Sequence, residues 1–117
     1  MSKKTKILIT IPKNLKNELR QSVIKNGYGL KGKSRWISEA IEKLTEIENY
    51  KELVDHNDEM GGLGQRETLV IDYELKMKLD ETILAVRKEF PLLEGVKSRI
   101  IRTAILQRLL RDINFSD

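Results

Sequence analysis

The chain contains no cysteine. It therefore has no disulfide framework and no thiolate metal site. Aromatic residues make up only 5% of its 117 positions, so any core must be aliphatic. The single histidine, His56, lies among Asp55, Asn57 and Asp58. A metal site needs more ligands at defined spacing, so His56 reads as a surface residue and no metal or other cofactor is expected. No apolar run is long enough for a membrane span or a signal peptide; Ile7-Leu8-Ile9 is the nearest approach. No nucleophile–base pair, carboxylate pair or glycine-rich phosphate loop can be assembled, so catalytic residues are not expected and the chain does not read as an enzyme.

Charge is plentiful, at 34% of residues, and unevenly spread. Residues 1–36 carry a net +9, residues 37–65 a net −6 and residues 66–117 a net +1, which leaves +4. A basic head of this kind suits a polyanionic partner.

One short run occurs twice. Lys33-Ser34-Arg35-Trp36-Ile37-Ser38-Glu39-Ala40-Ile41 and Lys97-Ser98-Arg99-Ile100-Ile101-Arg102-Thr103-Ala104-Ile105 agree at six of nine positions. Each reads as the start of an amphipathic helix, with Ser34 and Ser98 as N-caps. A helix start exposes unpaired N–H groups and partial positive charge, and the flanking Lys and Arg add to it, so each copy is a candidate anion site.

The flanking sequence repeats with it. Residues 6–11 are rich in β-branched side chains and end at Pro12, which predicts a strand. A helix follows from about Lys13 to Lys25, with Leu15, Leu19 and Val23 on its apolar stripe. The helix opened by Ser34 is expected to run to about Tyr50. Residues 51–65 read mostly as a linker. A second strand over 66–71 then precedes a helix over about 74–87 and a last helix after Ser98. Ile9, Ile11, Leu15 and Leu19 map onto Leu69, Ile71, Leu75 and Leu79 at an offset of 60, while the two serines are 64 apart. Four residues are inserted in the second copy, most simply in the loop between its helices. The expected organisation is residues 1–50 as repeat 1 with a basic N-terminal arm, 51–65 as linker and 66–117 as repeat 2.

A lone strand leaves its backbone groups unpaired, and one such unit buries too little apolar surface to fold. Two units answer both problems. The expected fold is mainly α, with a two-stranded antiparallel β-ribbon formed within one chain and four helices beneath it. A two-stranded ribbon fits the major groove of B-DNA. Trp36 reads as packing against the neighbouring loop rather than resting on a DNA backbone.

The order of elements, the proline after the strand and the run Lys33-Ser34-x-x-Ile37-Ser38-x-Ala40-Ile41 resemble the ribbon-helix-helix DNA-binding proteins, the group containing MetJ and Arc. The resemblance covers both repeats, which makes this a tandem form with the dimer built into one polypeptide, an intramolecular pseudo-dimer. It implies that outward strand residues read bases: Lys6, Leu8 and Thr10, with Arg66, Thr68 and Val70. It implies that the second helix of each unit holds phosphate through Lys33, Ser34 and Arg35, and through Lys97, Ser98 and Arg99, with Lys4 of the basic arm beside them. Leu8 and Val70 depart from a hydrogen-bonding pattern and suit a thymine methyl instead. Glu67 stands where the first unit has Ile7, and is expected either to fray there or to face a phosphate.

The implied function is sequence-specific binding of double-stranded DNA in transcription regulation, most simply as a repressor in the cytoplasm, at the nucleoid or on a plasmid. An alternative within the family is an accessory factor of a plasmid conjugation (transfer) origin, with a relaxase as partner. A third is an antitoxin, though such proteins carry a toxin-binding tail where this chain has a second unit. Copies on adjacent DNA sites would form any higher oligomer, and no membrane partner is expected.

Overall fold

The computed structural model of the protein describes residues 3–29, 32–56 and 64–115. The order of elements is β1 (Lys4–Pro12), α1 (Lys13–Lys25), α2 (Lys33–Glu46), α3 (Tyr50–His56), β2 (Gly64–Asp72), α4 (Tyr73–Glu89) and α5 (Val96–Phe115). β1 and β2 of the same chain pair antiparallel, from Lys4 opposite Asp72 to Pro12 opposite Gly64, with Leu8 opposite Thr68 at the centre. Successive side chains of a strand point to opposite faces. Ile7, Ile9, Ile11, Leu69 and Ile71 are buried on one face, and Lys6, Leu8, Thr10, Arg66, Thr68 and Val70 are exposed on the other.

Each strand runs further at both ends than its β-branched core predicts. Lys4 and Asp72 hold one extension together with an ion pair of 2.8 Å across the ribbon. Pro12 closes β1 at φ −64° and ψ 149°. Proline has no N–H to give a ladder, and its ring favours the position just ahead of a helix.

The helices bury the apolar underside of the ribbon. α1 supplies Leu15, Leu19 and Val23, and α4 supplies Leu75, Leu79 and Val86. α2 supplies Trp36, Ile37, Ala40, Ile41 and Leu44 and packs mainly against α5, which supplies Ile100, Ile101, Ala104, Ile105 and Leu109. These side chains form one continuous core drawn from both halves of the chain. The radius of gyration is 13.7 Å, close to the roughly 13 Å of a single domain of this length.

Two details differ from the sequence reading. α2 stops at Glu46, because Ile47 turns to extended backbone at φ −75° and ψ 128°. A separate helix, α3, occupies the first part of the stretch read as linker. Ile47, Tyr50 and Val54 lie at helical spacing and pack on the core, with Val54 fully buried. Residues 57–63 of that linker lie outside the described residues. The second difference concerns the four inserted residues. α4 has 17 residues against 13 in α1, so the insertion is about one extra helical turn rather than a longer loop. α1 is stopped by Gly27 at φ 82°, a left-handed position that glycine takes without a Cβ clash. Four residues earlier than α4 ends, no glycine interrupts it, and Val86 extends its buried stripe.

Candidate nucleic-acid interface

The outer face of the ribbon presents Lys6, Leu8 and Thr10 beside Val70, Thr68 and Arg66 respectively. All six are exposed, Leu8 at 47% and Val70 at 40%. Leu8 lies at the middle of the face and Val70 at one corner beside Lys6, while the two cations, Lys6 and Arg66, lie diagonally across its centre. The face thus offers donors for guanine edges at two opposite corners and aliphatic contacts for thymine methyls at its centre and at a third corner.

α2 and α5 begin at the two edges of the ribbon. Here the serines behave differently from the reading as N-caps. α2 starts at Lys33 with Gly32 ahead of it, and no side chain caps it. Ser34 lies inside the first turn, and its Oγ accepts the backbone N–H of Val70 at 3.2 Å. Ser98 does the same within α5, accepting the N–H of Thr10 at 3.3 Å. Each outer edge of a two-stranded ribbon has N–H groups with no strand to receive them. The serines receive one on each edge. Arg102 was missed by the sequence reading. It lies one turn after Ser98 and donates from Nη1 to the carbonyl of Thr10 at 2.9 Å, so α5 holds both backbone groups of that residue. The i, i+4 spacing from Ser98 was the available signal.

The basic residues around these helix starts are placed unequally. Arg35 is 77% exposed in its side chain and pairs with Glu39 at 3.4 Å. Lys4 is exposed and pairs with Asp72. With Ser34, Arg35 and Val70, Lys4 lines an open groove between the end of β2 and the start of α2; Asp72 and Glu42 also line it. Arg99 turns inward, donating from Nε to the carbonyl of Glu94 at 3.0 Å and from Nη1 to that of Asp55 at 3.5 Å, and so ties α5 to the last turn of α3. Lys97 is half-buried and makes no ion pair among the described residues.

Lys33 is tied to Glu67, which also pairs with Lys16 at 3.1 Å. The Glu67 side chain is only 10% exposed. It neither frays nor projects outward; it lies under the ribbon between α1 and α2. Burial pushes its pKa up, but hydrogen bonds and charge from Lys33 and Lys16 outweigh that and hold it below the ordinary 4.5.

Trp36 is fully buried. Its Nε1 donates to Asn26 Oδ1 at 2.9 Å, in the loop after α1. Arg108 of α5 lies over its ring at 4.4 Å and donates to its carbonyl at 2.8 Å, to Tyr28 Oη at 2.8 Å and to Glu39 at 3.3 Å. Tyr28 Oη donates in turn to Glu39. This knot locks α5 onto the α1–α2 loop and keeps Trp36 away from the outer surface. His56 is exposed, the last residue of α3. Among the described residues, no helix is long and apolar enough to cross a membrane.

Comparison with known protein families, with characterised proteins and with solved structures found no match to this chain.

Proposed function

We propose that the protein binds double-stranded DNA sequence-specifically, with the outer face of β1 and β2 in the major groove, and acts as a transcriptional regulator, most simply a repressor. The observation that carries this reading is the ribbon face itself. Six exposed side chains on two paired strands form a surface with cations at diagonal corners, Leu8 at its centre and Val70 at a third corner. A two-stranded ribbon has the width of that groove, and Arg and Lys are the usual donors to guanine.

The reading includes two strand–helix–helix units related by an approximate twofold axis through the ribbon. The register supports it. Residues in β1 pair with partners whose numbers sum to 76 with their own, so the one position that faces its own equivalent at an offset of 60 is Leu8, opposite Thr68, at the middle of the ribbon. The serine contacts support it too: Ser34 to Val70 and Ser98 to Thr10 are the same contact in each half. Such a pseudo-dimer carries two unlike reading triads, so its DNA site would be an imperfect palindrome.

The test is titration of selected and scrambled duplexes at two salt concentrations. On the order of six neutralised phosphates gives log K a slope of about −5 against log salt. Arg66→Ala should cost about 1–3 kcal/mol on the selected duplex and little on the scrambled one. Equal losses on both would remove Arg66 from base reading, and a slope near zero would remove the DNA reading altogether.

A further inference from the structure

At one pair of equivalent positions the ribbon has an apolar side chain in one strand and a charged one in the other. At the offset of 60, Glu67 in β2 corresponds to Ile7 in β1. Ile7 is buried in the core, 7% exposed. Glu67 is a carboxylate in that setting, and it draws two ammonium groups to itself: Lys33, the first residue of α2, and Lys16 of α1. The equivalents of these lysines behave otherwise. Lys97 at the start of α5 has no acid partner among the described residues. Lys76 of α4 pairs within its own helix, to Asp80 at 2.7 Å. A carboxylate as sheltered as Glu67 is costly to leave unpaired, so it does not readily give up its lysines to a solvated phosphate.

We infer that Glu67 makes the two backbone grips unequal: it holds Lys33 back from DNA, so that the α5 end of the ribbon grips phosphate with a free lysine and the α2 end does not. This rests on the DNA-binding reading above. The protein then has a polarity on its site, with a lysine contact to the backbone beside Thr10 and Ser98 and none beside Val70 and Ser34. Glu67 is a positioning residue here; it acts through Lys33 and touches no DNA.

Random duplex is the probe, because it isolates backbone grip from base reading. Lys33→Ala and Lys97→Ala are each made in the wild type and in a Glu67→Gln background, with Glu67→Ile as a second background that restores the residue of the other strand. One phosphate contact corresponds to about fivefold in affinity at about 0.15 M salt, and to a change of about 0.9 in salt slope. Lys97→Ala should weaken binding about fivefold in every background. Lys33→Ala should change it less than about twofold in the wild type, and about fivefold once Glu67 is replaced. Glu67→Gln alone should steepen the salt slope by about one. A purely long-range charge effect would instead give both lysines the same loss in all backgrounds, and that result overturns the inference while leaving DNA binding intact. A wild-type protein with no salt-dependent affinity for duplex DNA overturns both. Urea unfolding of each variant separates lost grip from lost fold.

Discussion

Ser98 Oγ accepts the backbone N–H of Thr10 at 3.3 Å, a contact between the first strand and the last helix, 88 residues apart. Its counterpart joins Ser34 to Val70. Together they fasten the ribbon by its two outer edges to the helices beneath.

Replacing either serine should therefore loosen the ribbon edge rather than fray a helix. Ser34→Ala and Ser98→Ala should each cost about 0.5–1.5 kcal/mol in urea unfolding, the net worth of an ordinary hydrogen bond. Amide exchange locates the effect: Val70 should exchange faster in the first variant and Thr10 in the second. Faster exchange confined to the first turn of α2 or α5 would return these serines to a capping role.

The pairing of β1 with β2 can be fixed covalently. Leu8 and Thr68 face each other at the centre of the ribbon. Directly opposed residues in an antiparallel pair have Cα atoms about 4.5–5.5 Å apart, within the range a disulfide spans. Leu8→Cys with Thr68→Cys should oxidise to a cross-linked monomer on a non-reducing gel. Covalent dimers alone would mean that strands are exchanged between chains.

Acid should weaken the fold through two carboxylates. Burial raises the pKa of Glu39, but hydrogen bonds from Tyr28 and Arg108 and the charges of Arg108 and Arg35 bring it below the ordinary 4.5. Glu67 is lowered by its lysines against the same opposition. A carboxylate with a depressed folded pKa stabilises the fold fully above its unfolded value, near 4.5, and that contribution is lost as pH falls through the folded value. The urea midpoint should thus fall as pH drops between about 6 and 3. Glu39→Gln and Glu67→Gln should each flatten that decline. An unchanged slope in both would place the acid sensitivity elsewhere.

The ribbon and its two faces were legible in the sequence because alternation at a period of two is unambiguous when Ile7, Ile9 and Ile11 line one side. The buried stripe of α1, Leu15, Leu19 and Val23, was legible for the same reason at helical period. α3 was not, since Tyr50, Leu53 and Val54 are interleaved with Lys51, Glu52 and Asp55 in a seven-residue helix, too short for periodicity to stand out. The serines were read from local preference alone. Ser34 and Ser98 have the composition of caps, but their partners lie in a strand 36 and 88 residues away, which no local rule can supply. Glu67 was flagged as out of pattern at a core-facing position. Its resolution needed Lys16 and Lys33, two residues that only the tertiary fold brings to it.

The most direct test of DNA recognition by the ribbon is a titration of isotope-labelled protein with a selected duplex, followed by amide and methyl chemical shifts. The account predicts that the largest changes fall on Lys6, Leu8, Thr10, Arg66, Thr68 and Val70, with smaller ones at Ser34 and Ser98. The outward faces of α1 and α4 should be silent. Changes concentrated on those helices, with the six ribbon positions unmoved, would contradict it.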